Sequence, residues 1–380
     1  MAPIETYFPT GIVTGEAFCN RQKERDYLKR RSEQNAHVVL MSPRRYGKSS
    51  LIAQFTYDQD APCISVDLLP ATSGKYVKNA IVDAVAQLLD RIMPKPTASK
   101  QKIMSYFARM DPVIELSAFG QKLKLNPQEK TPEETIMKLL MQLDEAAKFL
   151  EKRIIFVIDE FQQIATLEDS HSLEASIRHA VERSKYVFYI FSGSNRTLLE
   201  EMFKNKDRPL YHLCDEMKLG RISKEQYIPF IEKAAKKRWK KGLPNESIER
   251  MLYLTERHPY YLNRLCRMLW DAEAPPDADN IETTWLQYVE AQKIDWVSET
   301  ISQLTANQIT VLVGLAQFSE KETMSKGFAG KLEMALSSIQ RTMHSLLRKD
   351  FIYKDEDRYY QILNPVIKTI LARDKYFFDN

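Results

Sequence analysis

Short apolar runs alternate with longer amphipathic stretches over the first 220 residues of the chain. The runs are almost continuously apolar, which is typical of strands buried on both faces of a parallel sheet. The stretches between them repeat apolar residues at helical spacing. The predicted strands are Val38–Met41, Pro62–Leu68, Arg153–Ile158, Tyr186–Phe191 and Met217–Leu219. The predicted helices cover residues 20–28, 50–57, 75–93, 131–150, 172–184 and 197–203. This alternation predicts an α/β core with a mostly parallel sheet.

Residues 94–131 interrupt the alternation. We predict that they form an insertion, with a helix near residues 100–110 and a small hairpin within residues 113–125. After Ser223 the strand pattern stops, and residues 223–290 have the periodicity of helices. This second region is predicted to be a helical lid.

The C-terminal section predicts a different small fold. Its patterns indicate helices over 306–317, 323–330 and 335–349, strands over 351–354 and 359–363 around the polar turn Asp355–Arg358, and a closing helix over 365–372. Three helices and a hairpin predict a winged helix-turn-helix. We therefore expect a core at residues 1–222, a lid at 223–295 and a winged helix at 296–380.

The composition fits a globular protein with a sizeable core, since 44% of the residues are hydrophobic and 28% are charged. The net charge is only +4, which argues against a polyanion-binding function of the whole surface. A local basic patch is compatible with this charge. The four cysteines are scattered without metal-ligand spacing, so we expect reduced thiols and a cytoplasmic protein. No run approaches ~18 consecutive apolar residues and no signal peptide is visible, so we expect no membrane span.

The turn after the first predicted strand carries the strongest chemical signal. It reads SPRRYGKSS, and it leads into a helical pattern, the order typical of a phosphate-binding loop. Backbone N–H groups of such a loop and the positive end of its helix face the phosphates. We expect Gly47 to let the backbone close around ATP, Lys48 to reach its β- and γ-phosphates, and Ser49 to be a ligand of Mg²⁺.

The loop departs from the usual pattern at Ser42, which stands where a glycine is usual. The alternative is a surface loop that contains Gly-Lys-Ser by coincidence. For Arg44 and Arg45, the sequence leaves open whether they bind the phosphates or a partner. The nucleotide-binding residues predicted here are Ser42, Pro43, Arg44, Arg45, Tyr46, Gly47, Lys48, Ser49 and Ser50.

Two acids follow the strand IIFVI at what would be the carboxyl edge of the sheet, where ligands bind in such folds. We expect Asp159 to hold Mg²⁺ through water and Glu160 to act as general base on the attacking water. Ser194 and Asn195 end the next strand, and a polar residue there is placed to bind the γ-phosphate or to orient water. The alternatives are acids that merely start a loop and an ordinary strand-ending turn.

Five stretches carry a family resemblance: SPRRYGKSSL, FVIDEFQQI, FSGS, RPLY and HPYYL. Together they resemble the archaeal-type ATPase family, which is AAA+-related and neighbours the STAND regulators and the archaeal origin-recognition ATPases. The resemblance covers nearly the whole chain. It implies an α/β fold with a P-loop NTPase (AAA+-like) parallel-sheet core, a helical lid and a C-terminal winged helix-turn-helix.

The resemblance also implies roles for single residues. Asn20 and Arg21 lie in a segment that contacts adenine, and Ser194 or Asn195 is the first sensor. Pro259 belongs to a lid element whose proline packs on the nucleotide, although His258 replaces its usual glycine. The remaining candidates are Arg208 or Arg221 for the arginine that stabilises transition-state charge, and Arg264 or Arg267 for the second sensor.

Two surfaces leave partner binding open. The basic run at residues 232–241 fits either phosphate contacts or a solvated lid face. The third helix of the winged helix carries Arg341, His344 and Arg348, which would reach DNA if it lay in a major groove. Winged helices also bind proteins, and the acidic turn at residues 355–357 would repel DNA.

The sequence thus predicts an ATP-binding protein and Mg²⁺-dependent ATPase in which nucleotide state changes the arrangement of lid and winged helix. The rival hypothesis is a nucleotide-gated DNA-binding switch with little hydrolysis. A third is a defence component whose effector is the insertion or a partner protein. A homo-oligomer is also open, because a neighbouring subunit can supply the catalytic arginine.

Overall fold

The computed structural model describes residues 7–92, 115–116, 123–124, 131–299, 301–318, 325–355 and 359–373. It divides into two compact units. The core unit is Ile12–Gly220, and the C-terminal unit combines Met1–Gly11 with Arg221–Asn380.

The core unit follows the predicted alternation of strands and helices. In chain order its elements are α1 Gln22–Glu33, β1 Val38–Met41, α2 Lys48–Gln59, β2 Cys63–Asp67, α3 Gly74–Ile92, β3 Glu115–Leu116, β4 Leu123–Lys124, α4 Pro132–Phe149, β5 Ile154–Asp159, α5 Ser170–Val181, β6 Val187–Gly193, α6 Arg196–Lys204 and β7 Asp215–Lys218. A 3₁₀ helix, Phe161–Thr166, follows β5.

Five of these strands form one parallel sheet in the order β2-β5-β6-β1-β7. The three middle strands are buried along nearly their whole length, as strands covered on both faces should be. Side chains from α3, α4 and α5 join them in one apolar core. The predicted parallel α/β core is confirmed.

The small hairpin predicted within residues 113–125 is confirmed, because β3 and β4 pair in antiparallel fashion. The helix predicted near residues 100–110 lies outside the described residues.

A carboxylate on α4 fixes the start of β6. Asp144 accepts hydrogen bonds from Ser184 Oγ (2.6 Å) and from the backbone N–H groups of Lys185, Tyr186 and Val187 (3.0, 2.7 and 3.0 Å).

The C-terminal unit contains the predicted lid helices and winged helix. Its elements are α7 Lys224–Trp239, α8 Asn245–Leu254, α9 Pro259–Leu269, α10 Ala278–Glu299, α11 Ala306–Gln317, α12 Lys326–Lys331, α13 Leu336–Arg348, β8 Ile352–Lys354, β9 Tyr360–Ile362 and α14 Pro365–Arg373. The strands β8 and β9 form the predicted antiparallel hairpin. Asp355 closes it by accepting hydrogen bonds from Tyr359 N (2.8 Å) and Gln361 Nε2 (3.2 Å), while residues 356–358 lie outside the described part.

An aromatic cluster ties the start of the chain to the lid helices. Phe8 lies edge-on to Phe230 and Trp270, with ring centroids 5.9 and 4.6 Å away, and Tyr7 lies 6.0 Å from Phe230. Tyr7 and Phe8 are both buried. This packing joins residues more than 200 positions apart, so local periodicity does not predict it.

Glu256, at the turn between α8 and α9, joins the lid to the winged helix. Its carboxylate accepts from Arg221 at 2.8 Å and from Lys368 on α14 at 2.6 Å. Arg221 also donates to the carbonyls of Glu256 (2.9 Å) and Leu363 (3.0 Å), and its guanidinium lies over the Tyr353 ring. The first residue of the C-terminal unit after the core is therefore bonded to lid and winged helix together.

Within the described residues, no helix combines the length and the apolar character that crossing a membrane requires. The four cysteines are free thiols.

Candidate functional site

The loop between β1 and α2 has the geometry of a phosphate-binding turn. β1 is fully buried, and Ser42 and Pro43 continue that buried path before the chain reaches the surface at Arg44 and Arg45. Gly47 has a φ of +88°, which L side chains rarely adopt, and nothing lies within 4 Å of the place where a Cβ would stand. A glycine is therefore needed here for backbone conformation.

Helix α2 begins at Lys48, and its cap residue Gly47 offers no side chain to the first turn. The first N–H groups of a helix have no acceptor within it, so they are available to an anion. Ser50 is bonded to a segment outside the loop. Its Oγ accepts a hydrogen bond from the backbone N–H of Val13 at 3.1 Å. Gln54 Oε1 likewise accepts the N–H of Gly15 at 2.7 Å, so residues 13–15 run along this helix.

Lys48 brings the two acids of β5 into the same site. Its ammonium is buried and lies 3.3 Å from Glu160 Oε1 and 3.8 Å from Asp159 Oδ1. One positive charge therefore faces two carboxylates at the carboxyl edge of the sheet. Asp159 and Glu160 follow Lys48 by 111 and 112 positions in the sequence, and the parallel sheet brings them together with it.

Two serines at the end of β6 hold one acid each. Ser192 Oγ donates to Asp159 Oδ1 at 2.6 Å, and Ser194 Oγ donates to Glu160 Oε2 at 2.7 Å. The cause is the parallel register of β5 and β6, in which Ile158 aligns with Phe191. The two residues after Ile158 thus meet the polar end of the neighbouring strand.

Gln162 is a site residue that sequence reasoning missed. Its Nε2 donates to Glu160 Oε2 at 2.6 Å. A Cβ on Gly193 would meet Gln162 Oε1 at 1.9 Å, so the glycine of FSGS leaves room for this side chain. The motif FQQI places Gln162 two residues after the acid, but which of its glutamines turns inward depends on the 3₁₀ helix that follows β5.

The pKa of Glu160 is lowered by its partners. Burial alone would raise it, but the hydrogen bonds from Gln162 and Ser194 and the charge of Lys48 outweigh burial and hold the pKa below its ordinary value. Glu160 is therefore ionised at neutral pH. Its backbone is in the left-handed region at φ +49°, an uncommon conformation for a residue with a side chain.

Arg21 is buried and supports the loop from within. Its guanidinium donates to the carbonyls of Tyr46 (3.0 Å) and Gly220 (2.8 Å), and it pairs with Glu24 (3.0 Å). The neighbouring Asn20 is exposed. The structure thus places Arg21 against the phosphate loop, with both of its terminal nitrogens hydrogen-bonded.

Other predicted residues have local partners. Asn195 caps α6 by accepting the N–H of Leu198 at 3.1 Å. Arg208 forms an ion pair with Glu174, whose side chain is fully buried. Pro259 is the first residue of α9, in the C-terminal unit.

The donor chemistry of this site fits ATP and Mg²⁺. Mg²⁺ in nucleotide sites takes one or two protein oxygens together with phosphate oxygens, and Ser49 and Asp159 offer a hydroxyl and a carboxylate. Lys48 and the uncapped start of α2 offer positive charge to the phosphates.

Comparison with known proteins settles the class. Residues 18–265 match the family model described as "ATPase domain predominantly from Archaea". The chain belongs to this ATPase family. Residues 296–373 of the ATPase also match the model described as "Probable winged helix domain". None of the curated proteins matches the chain.

Three solved structures are similar to this ATPase to different degrees. The Walker-type ATPase of Pyrococcus abyssi is similar at a TM-score of 0.65 and 18% identity, over 95% of this chain and 97% of that one. The ORC1 protein of Aeropyrum pernix in complex with DNA gives 0.49 and 12%, over 98% and 97%. The RuvB Holliday junction branch migration motor of Thermotoga maritima gives 0.43 and 12%, over 93% and 94%. At such identities the first similarity shows a shared fold, and it confirms the predicted fold class.

Proposed function

We propose that this chain is an Mg²⁺-dependent ATPase of the AAA+/STAND kind, in which nucleotide state changes the arrangement of lid and winged helix. One observation carries the proposal: the buried Lys48 ammonium lies between Asp159 and Glu160, next to a helix start that has no side-chain cap. Family membership supports it independently.

Each residue then has a chemical role. Bound ATP·Mg²⁺ would supply the phosphoanhydride bond and a Lewis acid. Lys48 neutralises phosphate charge, while Ser49 and Asp159 are the oxygen donors that would hold the metal. Glu160, kept ionised by its partners, accepts a hydrogen bond from the attacking water and orients it.

The sensor role falls to Ser194 in this proposal. Its hydroxyl and its backbone N–H both contact Glu160, at 2.7 and 3.3 Å. Asn195, the alternative, uses its side chain to cap α6. Ser194 therefore links the end of β6 to the residue that faces the water.

Lys48→Ala tests the nucleotide site. Wild-type protein should bind ATP and hydrolyse it in the presence of Mg²⁺. The variant should lose binding and hydrolysis, because the phosphates of ATP lose the Lys48 ammonium as their main counter-charge. Lys29→Ala, on the exposed face of α1, is the matched control and should behave as wild type. Wild-type protein with neither binding nor turnover contradicts the proposal.

A nucleotide-gated DNA-binding switch is the second candidate, and the exposed face of α13 favours it. Arg341, His344 and Arg348 are exposed along one side of this helix, together with Ser337 and Gln340. A winged helix that presents such a face is suited to contacts with base edges and phosphates.

Mobility-shift titrations at fixed salt, with and without ATP, distinguish the two candidates. DNA binding that depends on ATP, falls steeply with salt and is lost in Arg341→Ala and Arg348→Ala supports the switch. Binding that is absent, or unchanged in both variants, contradicts it. ATP turnover in the same preparations decides whether the switch also hydrolyses.

A further inference from the structure

The arginines suggested by the family resemblance for transition-state stabilisation are engaged elsewhere. Arg208 forms an ion pair with the buried Glu174, and Arg221 binds Glu256 within the C-terminal unit. Withdrawing either guanidinium would leave a buried or half-buried carboxylate without its charge partner, which is costly. Phosphoryl transfer nevertheless gains much from an arginine beside the transferred group.

Arg44 lies in the phosphate loop and is held only weakly. Its side chain is exposed, and its Nε is 3.5 Å from Ser194 Oγ. A hydrogen bond at that length is near the limit of a real interaction, so little is lost when it breaks.

The contact places Arg44 at the end of a short polar chain through the site. Ser194 Oγ donates to one oxygen of Glu160, and the other oxygen of Glu160 accepts from Lys48 Nζ at 3.3 Å. Lys48 therefore contacts one oxygen of Glu160 directly, whereas Arg44 is connected to the other oxygen through Ser194. Both belong to the loop that would surround the phosphates.

We propose that Arg44 is the catalytic arginine of this enzyme and acts within its own chain: its guanidinium contacts the terminal phosphate of ATP and stabilises the charge that develops there. This inference rests on the proposed ATPase function. A guanidinium suits the role because its planar donors bind phosphate oxygens in pairs, whereas an ammonium binds as a point charge.

Three ligands separate binding from catalysis in Arg44→Ala: ATP for turnover, ADP for ground-state affinity, and ADP with aluminium fluoride as a mimic of the transferring phosphate. Turnover should fall by roughly 10³-fold, and affinity for the mimic should fall by a similar factor. Affinity for ADP should stay within about threefold of wild type, because ADP lacks the phosphate that Arg44 contacts. Arg44→Lys should restore only part of the loss.

Arg30→Ala, which removes an exposed arginine from α1, is the control and should match wild type in all three measurements. Arg44→Ala protein that turns over ATP within about twofold of wild type overturns the inference and leaves the proposed function standing. Equal losses of affinity for ADP and for the mimic also overturn it, since Arg44 would then be a general phosphate contact. Wild-type protein that neither binds nor hydrolyses ATP removes both proposals.

Mixing two inactive variants tests action within one chain. Arg44→Ala retains Lys48 and Glu160, and Lys48→Ala retains Arg44, so an arginine that acts between subunits would restore turnover in the mixture. We expect no restoration, and a wild-type turnover per chain that does not change with protein concentration. Recovery of activity in the mixture overturns the assignment to the same chain.

Discussion

Glu160 is held by four groups at once, and the loss of one of them should be visible in turnover. Ser194 Oγ is 2.7 Å from Glu160 Oε2, whereas the neighbouring Asn195 caps α6. Two adjacent polar residues therefore have different tasks, one in the site and one in the helix.

Ser194→Ala should lower turnover by about 10- to 100-fold while affinity for ATP changes little, because Glu160 loses a bond that orients it. Asn195→Ala should lower the free energy of unfolding by about 1 kcal/mol through loss of the cap. Steady-state kinetics and chemical denaturation of both variants check the contrast. If Asn195→Ala lowers turnover more than Ser194→Ala, the sensor role belongs to Asn195.

Glu174 makes stability depend on pH near neutrality. Its burial raises its pKa from 4.5 to about 7, against the lowering effect of the Arg208 charge. A carboxyl whose pKa is higher in the folded state stabilises the fold while it is protonated. That contribution is complete below pH 4.5 and is lost as the pH rises through about 7.

We therefore expect the free energy of unfolding of wild type, relative to Glu174→Gln, to decrease as the pH rises from 4.5 to about 7, the interval between the unfolded and folded pKa values. Urea denaturation at several pH values measures this difference. A difference that stays constant or increases with pH shows that Arg208 keeps Glu174 ionised in the fold.

Among the elements, the start of β6 depends on a single carboxylate. Asp144 accepts from one hydroxyl and three consecutive backbone N–H groups, so it replaces the acceptors that a strand end lacks. β6 is the central strand of the sheet and carries Ser192 and Ser194 at its other end. The contact therefore fixes a strand on which the site depends.

Asp144→Ala should lower the free energy of unfolding by about 2 to 4 kcal/mol, because half-buried donors lose a charged acceptor. Asp144→Asn keeps one acceptor oxygen and should lose less. Denaturant titrations of both variants measure the two losses. Equal losses, or none in Asp144→Ala, would mean that water or another group replaces the carboxylate.

Sequence patterns predicted the buried elements well and the edge elements less well. β5 and β6 are continuous apolar runs because both faces are covered, so their positions were visible directly. β7 is an edge strand of mixed exposure and begins at Asp215, two residues before the predicted start. An edge strand has no continuous apolar run to mark it.

The candidate site was predictable as residue types, and its contacts were not. Lys48, Asp159 and Glu160 stand in recognisable motifs at strand ends. The pairing of Ser192 with Asp159 and of Ser194 with Glu160 follows from the register of β5 against β6, which local periodicity does not contain. Arg208 and Arg221 could not be judged from sequence for the same reason, since their acids lie 34 and 35 positions away.

At the scale of the whole molecule, the network around Glu256 connects the lid helices to the winged helix within the C-terminal unit. Burial would raise the pKa of this carboxyl, but the charges of Arg221 and Lys368 outweigh burial and lower it. Trp285 adds a second tie, from α10 to Thr369 on α14 at 3.3 Å. Glu256 and Trp285 therefore connect the lid helices to the winged helix at two separate points.

Glu256→Ala should lower stability by about 3 kcal/mol, because two cations lose a largely buried partner. Glu249→Ala removes the exposed partner of Lys224 and should cost less than about 1 kcal/mol. Thermal unfolding followed by calorimetry checks both, and a separate early transition of the winged helix is expected only in Glu256→Ala. If Glu256→Ala is as stable as Glu249→Ala, the network does not join the two parts.

Binding and turnover of ATP, measured side by side in Glu160→Gln, test the proposed site most directly. The amide keeps the shape of the side chain but can no longer accept a proton from water. We predict ATP affinity within about threefold of wild type and turnover lower by roughly 10²- to 10⁴-fold. A variant that hydrolyses ATP at the wild-type rate would contradict the role of Glu160.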